Sequence, residues 1–216
     1  MSLTSPLVIA VDGPAASGKG TIAKALARHY GLPHMDTGLL YRAVALSLFR
    51  FGGDAASEFE AARAVHDIDK IDLGDEELRS EIVGGIASRI SIYPAVRAAL
   101  LDKQRAFAEQ EGGAVLDGRD IGTVIAPDAR VKLFVTASAE VRAQRRLAEL
   151  TARGMSAHLD DVLADIRARD ERDMGREAAP LLQAPDAVLL DTSDMDVDSA
   201  ITEAIRLVEE ALTADA

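Results

Sequence analysis

The sequence predicts an α/β protein built on a parallel sheet with helices on both faces. Three observations carry that prediction. The apolar runs are continuous rather than alternating, as strands buried on both sides require. The stretches between them repeat apolar residues at helical spacing, and a glycine-rich junction joins the first run to the first helix. The first run, residues 7–11, leads through Asp12-Gly13-Pro14 into a segment where Ile22, Ala23, Leu26 and Tyr30 recur at helical spacing, which reads as strand, loop, helix. A short strand around His34-Met35 and a helix over 39–49 follow. Further strands fall at 114–116, 131–135 and 187–190, and the closing helix carries Ile201, Ile205, Val208 and Leu212.

Two stretches stand outside that alternation. Residues 51–94 are mostly Ala, Asp, Glu and Arg without a convincing strand and read as short helices at the sheet's edge, and residues 151–180 are densely charged in both signs. The 216 residues lie close to the ~100–200 of an ordinary domain, with no repeat or long linker. Residues 1–216 are therefore expected to form a single domain with two excursions.

Composition excludes several classes. With 48% hydrophobic and 28% charged residues, the chain is neither disordered nor fibrous. No apolar run reaches the ~20 residues of a membrane span, and the opening Met1 to Pro6 lacks the charged segment and cleavage site of a secretory leader. A cytoplasmic protein away from the membrane is expected. Without cysteine there is no disulfide framework, and the four histidines lack ligand spacing, so a structural zinc is not expected. A net charge of -12 argues against a nucleic-acid surface, so an anionic ligand needs a local cationic pocket.

Four motifs supply candidates for such a pocket. The segment Gly13, Pro14, Ala15, Ala16, Ser17, Gly18, Lys19, Gly20, Thr21 follows a strand and opens a helix. Its glycines let backbone N–H groups curl around a phosphate, the helix N-terminus adds partial positive charge, and Lys19 reaches the β- and γ-phosphates of a nucleotide. A hydroxyl usually follows the lysine directly to meet Mg²⁺. Here Gly20 intervenes and Thr21 takes that role. Such loops serve switch GTPases, motors and small-molecule kinases alike. The chain contains no Asn, and no Gly has an Asp three residues before it, so the GTPase signatures are absent.

The segment Asp36 to Arg42 lies at the carboxyl end of the second strand, where open α/β sheets bind ligands. Thr37 reads there either as a helix N-cap or as a crevice residue. Asp117-Gly118-Arg119-Asp120 follows the third strand; Asp117 is placed to orient water around Mg²⁺ and Arg119 to grip a second phosphate. Arg169, Arg172, Asp173 and Arg176, at i, i+3, i+4 and i+7, share one helix face. Alone they read as a solvated face neutralised by Asp165, Asp170, Glu171 and Glu177. Between Gly154 and Gly175 as hinges, they read as a lid bringing arginine to a phosphoryl group.

Through GPAASGKGT, MDTGLLYR, the Tyr93-Pro94-Ala95-Val96-Arg97 stretch, DGRDIGT, ARDERDMGREAAPL and LDTS, in that order, the chain resembles the bacterial cytidylate kinase family of the nucleoside monophosphate kinase superfamily. The resemblance covers most of the chain. It implies a P-loop-type five-stranded parallel sheet, a monophosphate-binding insert (51–94, reduced here) and a mobile lid (151–180). It also implies γ-phosphoryl transfer from Mg²⁺-bound ATP to CMP or dCMP; a monomer is expected.

Carried over by motif, Arg42, Arg119 and Arg176 hold the acceptor phosphate, with Thr37 and Tyr41 beside them. Ser88, Arg97 and Asp120 read the cytosine edge, and Arg169 and Asp173 meet the ribose. Lys19, Arg119, Arg169 and Arg176 supply the charge that catalyses transfer, and Thr21 and Asp117 meet the metal. A kinase of another small acceptor and a nucleotide-binding regulator without turnover are the alternatives.

Overall fold

The computed structural model describes residues 6–214; most of the opening stretch read above for a leader, Met1 to Ser5, lies outside the described residues. Five parallel strands form one sheet: β1 (Leu7–Asp12), β2 (His34–Asp36), β3 (Gly113–Gly118), β4 (Val131–Thr136) and β5 (Val188–Asp191), in the spatial order β2-β3-β1-β4-β5. β1 and β3 are central, and their burial on both faces explains the unbroken apolar runs.

Helix α1 (Lys19–Tyr30) leads from β1 to β2. Between β2 and β3 the chain forms α2 (Thr37–Arg50), α3 (Glu58–Ala64), α4 (Glu81–Ile90) and α5 (Pro94–Ala108), with 3₁₀ turns at Val65–Lys70 and Glu76–Arg79. Among the described residues, 51–94 contains no strand. A π-helical turn (Ile121–Ile125) follows β3, helices α6 (Ala139–Ala152) and α7 (Leu159–Gly175) form a hairpin after β4, and α8 (Val197–Ala214) closes the chain.

One face of the sheet packs Ile9, Val11 and Leu133 against Ile22 and Leu26 of α1 and Ala204 and Val208 of α8. The opposite face packs Ala10 and Leu116 against Ala108 of α5 and Ile121. Two further apolar clusters stand apart from the sheet. One, with Leu46, Leu78, Val83, Ile90 and Leu100, binds α2 through α5; the other, with Ala143, Leu150, Val162 and Ile166, binds α6 to α7. The hairpin thus carries its own small core, and its link to the rest is largely polar.

The structure corrects several boundaries. The second helix begins at Thr37, two residues earlier than read, because Asp36 caps it by accepting the Leu39 N–H at 3.3 Å. Asp36 is therefore the N-cap, while the Thr37 hydroxyl donates to the Asp117 carbonyl at 2.9 Å and ties α2 to β3. Asp117 and Gly118 belong to β3 rather than following it, since the ladder with β1 runs on to pair Asp12 with Gly118. β5 begins and ends one residue later than read. Arg176 lies beyond α7 in extended backbone, so the four-residue helix face shrinks to Arg169, Arg172 and Asp173.

Candidate active site

The order β2-β3-β1-β4-β5 reverses direction at β1 and β3, and such a switch point opens a crevice at the carboxyl ends of the strands. The phosphate loop leaves β1 there. Gly13 has no alternative, because a Cβ at that position would lie 2.0 Å from the Val135 carbonyl oxygen. The loop is braced from outside: the Thr192 hydroxyl donates to the Ser17 carbonyl at 3.1 Å and Arg142 to the Ala15 carbonyl at 3.3 Å. Lys19 donates to the Pro14 carbonyl at 3.3 Å, a long bond that leaves its ammonium available. Burial, then the neighbouring Arg119, lowers its pKa to about 7 against the pull of Asp117 and Asp36.

Opposite the loop, β2 ends in Asp36 and β3 carries Asp117 next to its end. Asp117 accepts from His34 Nε2 at 2.7 Å, and burial followed by the charge of Asp117 raises the pKa of Asp36. A Cβ on Gly20 would stand 3.7 Å from Asp117 Oδ2, so the glycine that displaces the usual hydroxyl leaves open space in front of that carboxylate. Thr21 is exposed in the first turn of α1. Among the described residues no group of three or more His, Asp or Glu converges on one point. Two carboxylates beside a phosphate loop do suit a hard cation held mainly by phosphates and water.

Beside this centre lies a cavity of about 70 Å³. Thr37, Tyr41, Arg42, Ser88, Arg97, Arg119, Asp120, Arg169, Asp173 and Arg176 all line it, so the structure gathers every residue assigned above to the acceptor. Ser88 is among them because its helix, α4, packs against α2. The array is neutralised only in part from within. Arg97 pairs with Asp120, Arg176 reaches the other Asp120 oxygen at 3.5 Å, and Arg119 Nε donates to Asp173 at 2.8 Å. Burial works against the charges of this last pair, but the two partners outweigh it, keeping Arg119 protonated and the Asp173 carboxyl below its usual range.

Arg169 is the exception. Its Nε is buried without a partner, and burial with the adjacent Arg119 lowers its pKa to about 10. Of the acids read as neutralising this face, Asp170 turns instead to Arg142, at 2.6 Å and 3.0 Å, while Asp173, on the face itself, pairs with Arg119. Arg176 reaches the cavity only because it is off the helix, where its Nε also donates to the Ala179 carbonyl.

The small cavity has room for about two waters. Through Arg42, Ser88 and Arg169 it adjoins a cleft of about 610 Å³ that runs to Ala15 and Ala16 of the phosphate loop, within the size range of ligand sites. Arg42 spans from α2 to the Leu78 carbonyl at 2.7 Å, and Arg172 donates from α7 to the Ser88 hydroxyl at 3.4 Å.

Three polar groups at this centre escaped the sequence reading. Asp12 and Asp36 end their strands, as Asp117 nearly does, and that shared position was the available signal. Arg142 left none, since its partners lie 28 and 127 residues away.

The cytidylate kinase family model matches residues 9–210. The chain is 58% identical over 205 residues to a cytidylate kinase of Xanthobacter autotrophicus, covering 94% of this chain and 97% of the relative. It is 56% identical over 204 residues to one of Caulobacter sp. strain K31, covering 94% of each. Among solved structures, an uncharacterized protein from Eubacterium ventriosum shares the fold with a TM-score of 0.57 at 16% identity, over 94% of this chain and 98% of that one.

Proposed function

The chain belongs to the cytidylate kinase family, and on that premise we propose that it transfers the γ-phosphoryl group of ATP to the phosphate of CMP or dCMP, giving CDP or dCDP. The observation that carries the reading at the level of residues is the convergence of Arg42, Arg97, Arg119, Arg169 and Arg176 on one cavity beside Lys19. Five guanidinia around so small a space are matched by two buried carboxylates, Asp120 and Asp173, and an incoming phosphate supplies the missing negative charge.

ATP occupies the phosphate loop, residues 13–21, with Lys19 at its β/γ end. CMP enters the acceptor cavity, its phosphate on Arg42, Arg119 and Arg176, its ribose at Arg169 and Asp173, and its base against Ser88, Arg97 and Asp120. Thr37 and Tyr41 form the wall of that cavity. The ion pairs of Asp120 with Arg97 and Arg176, and of Asp173 with Arg119, hold these side chains in place around the cavity. Transfer needs no general base, because the acceptor is already an anion. The protein's task is to align the acceptor oxygen with the γ-phosphorus and to spread positive charge over a loose transition state. Lys19, Arg119, Arg169 and Arg176 supply that charge. Magnesium bound with ATP would be held through Asp117 and Thr21, with Asp36 adjacent, and would neutralise phosphate charge there.

Residues 51–94 act as the acceptor insert and 151–180 as a lid. A small apolar core that α7 shares mainly with α6, and a single polar bond from Arg172 to Ser88 of α4, support movement of residues 151–180. Hydrogen exchange over residues 151–180 is expected to slow when a bisubstrate analogue joining the two nucleotides is added, and to slow less with ATP alone. Equal protection with and without the analogue would remove the lid from the account. That the site is completed within one chain supports the reading of a monomer.

The function is tested by ADP release with ATP and a panel of CMP, dCMP, UMP, AMP and a shikimate-like alcohol. Turnover is expected with CMP and dCMP far above the rest. A preference for the alcohol would mean a different kinase, and ATP binding without ADP from any acceptor would mean a regulator.

A further inference from the structure

Asp12 takes no part in the chemistry above, yet it is 5% exposed and fully engaged. It is the last residue of β1 and directly precedes Gly13, so its backbone begins the phosphate loop. Its side chain points elsewhere. Oδ1 accepts the Ile121 N–H and Oδ2 the Gly122 N–H, each at 2.8 Å. Those amides open the π-helical turn that follows Asp120, and the residue before the turn, Asp120 itself, contributes no side-chain cap. The capping that a helix start needs is supplied instead by a carboxylate 109 residues earlier, from the neighbouring strand.

One residue therefore joins both substrate sites: its main chain leads into the loop that holds the donor, and its carboxylate anchors the segment that presents Arg119 and Asp120. The loop's own braces run through Thr192, Arg142 and Lys19 and do not involve the Asp12 carboxylate. Losing that carboxylate frees the acceptor segment while the donor loop keeps its supports.

We propose that Asp12 is a positioning residue that sets the acceptor segment Arg119-Asp120 in register with the phosphate loop, so that acceptor and donor phosphates meet in line. This rests on the reading of Arg119 and Asp120 as acceptor contacts, and the test separates the two. A shift of well under an ångström in such a segment weakens alignment that catalysis depends on.

In Asp12→Asn, one amide loses its acceptor and faces an NH₂ group. The KM for CMP is expected to rise on the order of 10-fold or more and kcat to fall with it, while the affinity for a non-hydrolysable ATP analogue changes less than about 3-fold. Amide exchange at Ile121 and Gly122 is expected to accelerate while that of Ile9 in the core of β1 does not. Asp12→Glu keeps the charge but displaces the anchor by a methylene. It is expected to impair CMP use as well, whereas a purely electrostatic role would be rescued.

In an Asp120→Asn background, Asp12→Asn is expected to leave the CMP-to-UMP ratio unchanged, since both act through one group. Equal losses in CMP and ATP-analogue affinity would overturn the proposal, as would unprotected Ile121 and Gly122 amides in the wild-type protein, a measurement that requires no variant to fold. Should Asp120→Asn alone leave base choice untouched, the acceptor reading fails, and the exchange data still decide whether Asp12 anchors the segment.

Discussion

Replacing Lys19 with methionine is expected to lower kcat by on the order of 10²–10³, with a smaller change in the KM for ATP. The ammonium lies at the mouth of the phosphate loop among Asp36, Asp117, Arg119 and Arg169, with one long bond to the Pro14 carbonyl. Backbone N–H groups and the start of α1 bind the nucleotide's phosphates whether or not the lysine is present, so ground-state affinity survives in large part. What disappears is a charge aimed at the β/γ bridge, where negative charge accumulates as the bond to the γ-phosphorus loosens. The lowered pKa sharpens the point. Burial lowers the lysine's pKa to about 7, and a bound triphosphate, adding negative charge beside it, favours the charged form. Methionine fills similar volume without charge, which separates electrostatics from packing. A variant with near-normal kcat and a large rise in the KM for ATP would assign the lysine to binding instead.

The parallel sheet was legible because buried strands leave unbroken apolar runs, such as the one ending at Asp12. The phosphate loop was legible because its function is local: Gly13, Lys19 and the helix start lie within a few residues of one another. Boundaries drifted where a side chain overrides apolar periodicity, as when Asp36 starts α2 early. The residues assigned to the acceptor became legible through the family's motifs rather than from spacing, since Arg42, Ser88, Arg97, Asp120 and Arg176 are brought together only by the packing of α2, α4, α5 and the segments after β3 and α7. Arg176 shows the limit most plainly. Helical spacing placed it on the face of Arg169, and it reaches Asp120 because the helix has ended. The pairing of Asp170 with Arg142 was equally hidden, because a run of mixed charges does not state which partners lie across a hairpin.

Discrimination of CMP over UMP by about 10²-fold or more in kcat/KM is expected in the wild-type protein, and Asp120→Asn is expected to narrow it. Cytosine presents an N4 amino donor with N3 and O2 acceptors; uracil presents a carbonyl and an N3 donor in place of the first two. A carboxylate acceptor and a guanidinium donor, Asp120 and Arg97, meet cytosine in register. Uracil inverts both contacts. Leaving buried polar groups unpaired costs ~1–3 kcal/mol each, and more when they are charged. Each Asp120 oxygen has a guanidinium partner, Arg97 on one side and Arg176 on the other, and each keeps a lone pair for the base.

The asparagine variant loses the charge that balances those two arginines, so turnover with both nucleotides falls. It also gains an NH₂ that can face a carbonyl, so UMP loses less than CMP. UMP phosphorylated as efficiently as CMP by the wild-type protein, or equal losses on both bases in the variant, would contradict the assignment of Asp120 to the base.

Phosphorus-31 NMR of a mixture of the protein, ATP, Mg²⁺ and CMP follows the phosphoryl group itself. The expected record is a CMP singlet replaced by the two doublets of CDP, in step with conversion of ATP to ADP and without inorganic phosphate. ADP and inorganic phosphate appearing beside an unchanged CMP signal would show transfer to water, and would contradict a site built to align one nucleotide's phosphate with another's.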